Sequence, residues 1–189
     1  MALALQLRDA VAALRAGGVI AYPTEAVWGL GCEPTNRVAV QRILELKRRD
    51  WRKGLIVIGA SFEQLEPYVQ LPSNSALRRA QASWPGPATW VFPASDFAPD
   101  WISGAHELMG DSIAIRVTAH PVAAALCKAY GGAIVSTSAN RQSQEPARSA
   151  TQVRMAFGRR IDALVPGALG DLSRPTPIRH VASGLILRR

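Results

Sequence analysis

Two cysteines, three histidines and three lysines in 189 residues leave this chain short of several kinds of chemistry. Cys32 and Cys127 lie far apart in unlike contexts. They are too few for a disulfide framework and lack the Cys-x-x-Cys spacing of a structural zinc site. His106, His120 and His180 are scattered, so no metal site is expected from protein side chains, and both thiols read as buried apolar residues. No run approaches the ~18 consecutive apolar residues that span a bilayer. The N-terminal stretch breaks its apolar residues with Arg8, Asp9 and Arg15, where a secretory signal keeps an unbroken apolar centre. The expectation is a soluble cytoplasmic protein with no membrane partner. No linker, repeat or low-complexity tract divides the chain, and its length suits a single domain over 1–189.

What the chain has in excess is arginine. The formal charge is +8, and 19 of the 22 basic residues are Arg, leaving only Lys47, Lys53 and Lys128. A GC-rich genome puts Arg on solvated surfaces in place of Lys. A phosphate-handling surface also favours Arg, whose planar fork matches oxyanions. Composition does not choose between the two; placement does.

Leu3, Leu7, Val11 and Leu14 recur at helical spacing and Gly17-Gly18 stop the helix. Val19 to Tyr22 reads as a buried strand ended by Pro23. A second helix is predicted from about Arg37 to Arg49, capped by Thr35 or Asn36. Further helices are predicted near 61–68, 73–83, 120–130 and 149–157. Strands are predicted at 55–58, 88–93, 112–117, 133–136 and 185–188. Short apolar strands alternating with helices imply an α/β (α+β) fold. Irregular Pro- and Gly-rich connections at 84–87 and 95–110 imply a mixed, open sheet flanked by helices.

Four segments carry candidate chemistry. In 21–32, AYPTEAVWGLGC, a strand enters a Pro-Thr-Glu turn followed by Gly29-Leu30-Gly31. Pro34 occupies the place of a dinucleotide fingerprint's third glycine, and no Walker A loop is present. The plain reading is a tight loop in which Thr24 and Glu25 cap local backbone. In 47–53, KRRDWRK, five basic residues in seven end a helix. A helix dipole accounts for one or two of them. Five crowded cations call for an anion, such as a triphosphate of about four charges. Lys47 and Arg49 cannot share a face of a continuing helix, but a break near Arg49 lets both turn inward. In 133–140, AIVSTSAN, a buried strand opens into hydroxyls and an amide suited to the rim of a polar pocket; an ordinary serine-rich turn is the alternative. Arg116 sits in the apolar strand 112–117. There it is either an edge residue or, pointing into a pocket, a bidentate carboxylate ligand. His120, before Pro121, reads as an N-cap. With no Gly-x-Ser-x-Gly elbow, serine hydrolase chemistry is not expected.

Together these segments resemble the YrdC/TsaC family of threonylcarbamoyl-AMP synthases. The resemblance rests on an ordered set: Pro23-Thr24-Glu25 with Gly29-Leu30-Gly31, Lys47-Arg48-Arg49, Trp84-Pro85-Gly86-Pro87, Arg116-Val117 with His120-Pro121, and Ser136-Thr137-Ser138-Ala139-Asn140. It covers nearly the whole chain and implies a YrdC-like open twisted sheet bordering a large basic concave pocket. It implies that L-threonine, bicarbonate and ATP, the last with Mg2+, give threonylcarbamoyl-AMP and pyrophosphate. A tRNA-modifying threonylcarbamoyl-transferase complex then carries the group to adenosine 37 of tRNA. By position, Lys47, Arg49, Ser138 and Asn140 match the nucleotide-phosphate elements, with Lys47 and Arg49 the catalytic pair. Lys53 and Arg188 match further ATP contacts. Thr24, Arg116, Ser136 and Thr176 match the threonine site. The chain departs from the family at Ala26, where a threonine is common. It departs again at Asp50, where a proline is frequent, and at Arg141-Gln142-Ser143 in place of Ser-Gly.

The rival reading is a non-catalytic tRNA-, double-stranded-RNA- or ribosome-binding protein. It fits the charge but lacks the aromatic-interleaved basic stripe of a stacking platform. Trp28, Trp51, Trp84, Trp90 and Trp101 fall in separate segments, so packing is their default role. A carbamoyl-adenylate enzyme of hydrogenase maturation is a weaker rival, since such proteins are longer and carry zinc-finger cysteines.

Overall fold

The computed structural model describes residues 2–106 and 110–188; 107–109, within the irregular connection expected at 95–110, lie outside them. Five α-helices are present: α1 (Ala2–Arg15), α2 (Arg37–Lys47), α3 (Asn74–Gln81), α4 (Pro121–Tyr130) and α5 (Ala150–Phe157). The strands are β1 (Ile20–Pro23), β2 (Trp28–Gly31), β3 (Ile56–Gly59), β4 (Thr89–Pro93), β5 (Gly104–His106), β6 (Gly110–Val117), β7 (Ile134–Ser138), β8 (Ala163–Leu164), β9 (Ile178–His180) and β10 (Ile186–Arg188). They form one sheet in the order β10-β9-β4-β6-β3-β7-β2-β1-β8, with β5 pairing β6. β3 runs parallel to β6 and antiparallel to β7, so the sheet is mixed, as the irregular connections implied.

The helix starts are chemically specified. Asn36 accepts from Ala39 N, Ser73 from Ala76 N, and Ser149 from Gln152 N, each satisfying an otherwise orphaned donor. His120 caps α4 in the same way, through Ala123 N. The stretch 61–68 forms two short 3₁₀ turns instead of the expected helix, because Pro67 interrupts it.

The sheet's two faces differ. One is buried along its length: Val57, Trp90, Phe92, Ile113, Ile115 and Val135 pack on α2, α3 and α5. The other face is covered only in part. There Ile20, Tyr22, Ile58 and Ile134 meet Leu14 of α1 and Leu126 of α4 in a second core. Beyond that core the helices stop and the same face carries polar side chains. β6 shows the alternation directly: Ile113, Ile115 and Val117 face the first core, and Ser112, Ala114 and Arg116 face the uncovered side. Both cysteines are fully buried in these cores.

Candidate active site

The uncovered part of the sheet is the floor of a cavity of about 420 Å³. Its wall includes Thr24, Arg49, Lys53, Arg116, Ser136, Ser138, Thr176 and Arg188, brought together from separate stretches of chain. Arg52 of the basic run 47–53 and Thr137 of the hydroxyl-rich turn, neither assigned a ligand by position, also lie on it. Among the described residues the wall therefore presents Arg49, Arg52, Lys53, Arg116 and Arg188, and no Asp or Glu. Lys47 and Asn140 are not on the wall; they sit immediately behind it.

The Lys47 end is built by a backbone break. α2 ends at Lys47, and Arg48 takes the left-handed conformation (φ 53, ψ 44) while its N–H still reaches the helix carbonyls. A side chain in that region costs about 1–3 kcal/mol and persists where the surroundings hold it. The reversal lets Lys47 and Arg49, two apart, both turn inward. The Lys47 ammonium then donates to Ser138 O at 2.5 Å, Asn140 O at 2.9 Å and Asn140 Oδ1 at 3.0 Å. An ammonium has three N–H donors, and all three are engaged. Ser138 Oγ donates to the same Asn140 Oδ1 at 2.6 Å, and Asn140 Nδ2 donates to Gln144 O. Lys47 is thus a strut under the 138–140 turn. Burial, with the Arg49 charge adding to it, pushes its pKa down to about 8.

Arg49 donates from Nη2 to Gly54 O at 2.9 Å and to Lys53 O at 3.3 Å, which folds the 50–54 loop back over the cavity rim. Gly54 (φ +59) permits this approach, since a Cβ there would lie 3.0 Å from Gly104 N. Burial and the Arg188 charge hold Arg49 below its ordinary pKa; burial and Arg116 do the same to Arg188. Three guanidiniums therefore repel one another across the cavity, an arrangement that an anionic ligand relieves.

At the far end Arg116 is 5% exposed on an interior strand, not an edge one. Its Nη1 donates to Thr176 Oγ1 at 3.0 Å, and its Nη2 lies 3.3 Å from Glu25 Oε2. Thr176 Oγ1 is 3.3 Å from Thr89 Oγ1. Glu25 does not cap its own turn as expected: its Oε1 accepts from Thr118 Oγ1 at 2.7 Å. Thr24 does behave locally, donating from Oγ1 to Val27 O at 2.7 Å. A second cavity, of about 780 Å³, adjoins the first at Arg49 and is bordered by Trp51 and Trp101. Trp28 and Trp90 are buried as packing residues, whereas Trp51 is half exposed.

An open mixed sheet whose half-covered face holds a cation-lined pocket defines a class of α/β proteins suited to bind polyanions. Comparison with known proteins is consistent with that class and narrows it. The Sua5/YciO/YrdC family model, which carries the description "Telomere recombination", matches residues 12–189. The chain belongs to this family. It is 61% identical over 185 residues to a threonylcarbamoyl-AMP synthase of Halorhodospira halophila, covering 97% of this chain and 94% of that one. It is 50% identical over 182 residues to the threonylcarbamoyl-AMP synthase of Coxiella burnetii, covering 96% of each. Among solved structures, P. abyssi Sua5 complexed with L-threonine superposes with a TM-score of 0.84 at 33% identity. That match covers 92% of this chain and spans half of the longer Sua5 chain.

Proposed function

We propose that this chain is a single-domain threonylcarbamoyl-AMP synthase, joining L-threonine, bicarbonate and ATP with release of pyrophosphate. The observation that carries this reading is the wall of the cavity: among the described residues, five cations, several hydroxyls and no carboxylate, with guanidiniums at both ends. A ligand set with a polyphosphate at one end and a carboxylate at the other offsets the repulsion among them. Threonine's carboxylate would lie on Arg116 beside the Thr176 hydroxyl, with Thr24 and Ser136 nearby. Arg49, Lys53 and Arg188 would take the triphosphate together with Ser138. Lys47 and Asn140 would act on the nucleotide through the shape of the 138–140 turn.

The chemistry asks little of a base or nucleophile. A carbamate formed on threonine's amine attacks the α-phosphorus, and the charge on the leaving pyrophosphate is neutralised by fixed donors. Mg2+ would enter on the nucleotide; among the described residues the cavity wall offers it no side-chain carboxylate. The product would pass to a tRNA-modifying transferase complex, with tRNA contact at that stage. The cytoplasm is the compartment this reading calls for; among the described residues no helix is long and apolar enough to cross a membrane.

The test is pyrophosphate release from ATP with threonine and bicarbonate each omitted in turn. Release that requires both is the expected outcome. Release that ignores either one, or none at all from folded protein, would refute the reading. Valine, which lacks the hydroxyl, should be rejected strongly, whereas serine, lacking one methyl, should lose ~10–200-fold.

A further inference from the structure

We infer that Glu25 is a positioning residue that holds the Arg116 guanidinium at the threonine end of the cavity and keeps it from the triphosphate. The inference rests on the proposed function and adds to it a residue outside the cavity wall.

Glu25 is 7% exposed, and Arg116 lies between it and the cavity. Each carboxylate oxygen has a separate task. Oε1 is fixed by the Thr118 hydroxyl at 2.7 Å, and Oε2 faces Arg116 Nη2 at 3.3 Å with no hydrogen-bond donor of its own. The turn that carries Glu25 is clamped by the 170–172 loop, through Gly170 N to Thr24 O and Leu172 N to Glu25 O, both at 3.1 Å. A Cβ at Gly170 would come within 2.8 Å of Glu25 O, so the clamp is a direct backbone contact. The main chain that carries the carboxylate is therefore fixed, and the Thr118 hydroxyl anchors the carboxylate itself through Oε1.

Arg116 needs such a tether. It shares the cavity with Arg49 and Arg188, and a bound triphosphate would attract all three. A guanidinium with a flexible stem moves toward the larger charge unless a fixed anion opposes it. Thr176 contributes one neutral hydrogen bond at Nη1; Glu25 contributes the only opposing charge recorded on Arg116 among the described residues. Its removal has two consequences of opposite sign. The threonine carboxylate loses an oriented partner, while the cavity's net charge rises by one and its grip on a polyphosphate does not weaken.

That opposition separates positioning from a structural role. In Glu25→Gln, threonine KM should rise about 10–100-fold, the scale seen when an outer partner of a ligand is lost. ATP binding, measured by calorimetry without threonine, should be unchanged or tighter. Glu25→Asp, which keeps the charge, should recover part of the loss. Thr118→Val, which frees Oε1 but leaves the ion pair, should raise threonine KM by a smaller factor. If Glu25→Gln does not fold, Glu25→Asp and Thr118→Val still decide the matter, because either one should raise threonine KM alone. Unchanged threonine KM in the folded variants, or equal weakening of threonine and ATP, overturns the inference. Failure of the proposed function would show separately, as wild-type protein whose pyrophosphate release ignores threonine.

Discussion

One face of the sheet is used in two ways. Toward Ile20, Ile58 and Ile134 it is sealed by α1 and α4, and the side chains packed there are apolar except for the Tyr22 hydroxyl, which donates to Val135 O. Toward Ser112, Arg116, Ser136 and Ser138 it is left open, and the wall is cationic and hydroxylic. The strands are shared: β3 gives Ile58 to the sealed half, while Ile56 packs on the edge of that core and lines the cavity. β7 likewise gives Ile134 to one and Ser136 to the other. Stability and binding are thus allotted to successive outward-facing positions of the same strands. Substitutions two residues apart should fail for different reasons.

The largest effect should come from the sealed half. Leu126→Ala empties a fully buried site in the second core and should cost about 2–5 kcal/mol of unfolding free energy. The threonine and ATP KM of the molecules that remain folded should be unchanged, as denaturant titration and pyrophosphate-release assays would show. A KM shift as large as the stability loss would mean that the two halves are not independent. Lys47→Ala tests the open half. It strips three acceptors of their donor and frees the 138–140 turn. A catalytic group misplaced by 1 Å can lose 10²-fold, so turnover should fall about 100-fold. Near-normal turnover in that variant would show that the turn holds itself.

Gly31→Ala acts on the boundary. A Cβ at Gly31 would meet Val135 O at 2.6 Å and the Tyr22 ring at 2.8 Å, so β2 and β7 must part or the ring must move. Overpacking of this kind costs about 1–3 kcal/mol, and here turnover should fall with stability, because Tyr22 belongs to the sealed core and Ser136 to the cavity.

The sequence revealed most where one stretch of chain carries its own signal. Apolar runs marked β3 and β6, the Thr35-Asn36 pair marked the start of α2, and the crowded cations at 47–53 marked an anion site. It was silent where the signal lies in a distant partner. β2 is two glycines in four residues and reads as a loop. It is a strand because β1 and β7 pair with it on both sides, and because Gly29 and Gly31 leave room for Thr24 and the Tyr22 ring. β9 has three residues and exists by pairing with β4 and β10. Lys47 was legible as a cation at a helix end, but its partners lie some ninety positions on, as do those of Glu25. The residue types of the site could be read locally; what each side chain touches could not.

The smallest effect, and the most specific to the open half, is on pH. Lys47 can engage Ser138 O, Asn140 O and Asn140 Oδ1 together only as an ammonium. Loss of its proton leaves one carbonyl facing a lone pair and loosens the turn. With its pKa pushed down to about 8, turnover supported by Lys47 should be full below that pH and fall as pH rises through it. Stability moves the other way. Between about 8 and the ordinary lysine value of about 10.4, the unfolded chain binds more protons than the folded one, so this residue's contribution to stability rises with pH. Threonine's own amine titrates in the same range, and the informative quantity is therefore the ratio of wild-type to Lys47→Met turnover. That ratio cancels the substrate's titration and should fall by about half near pH 8. A ratio that stays flat into the alkaline range would mean that the ammonium keeps its proton, and that the three acceptors outweigh the burial.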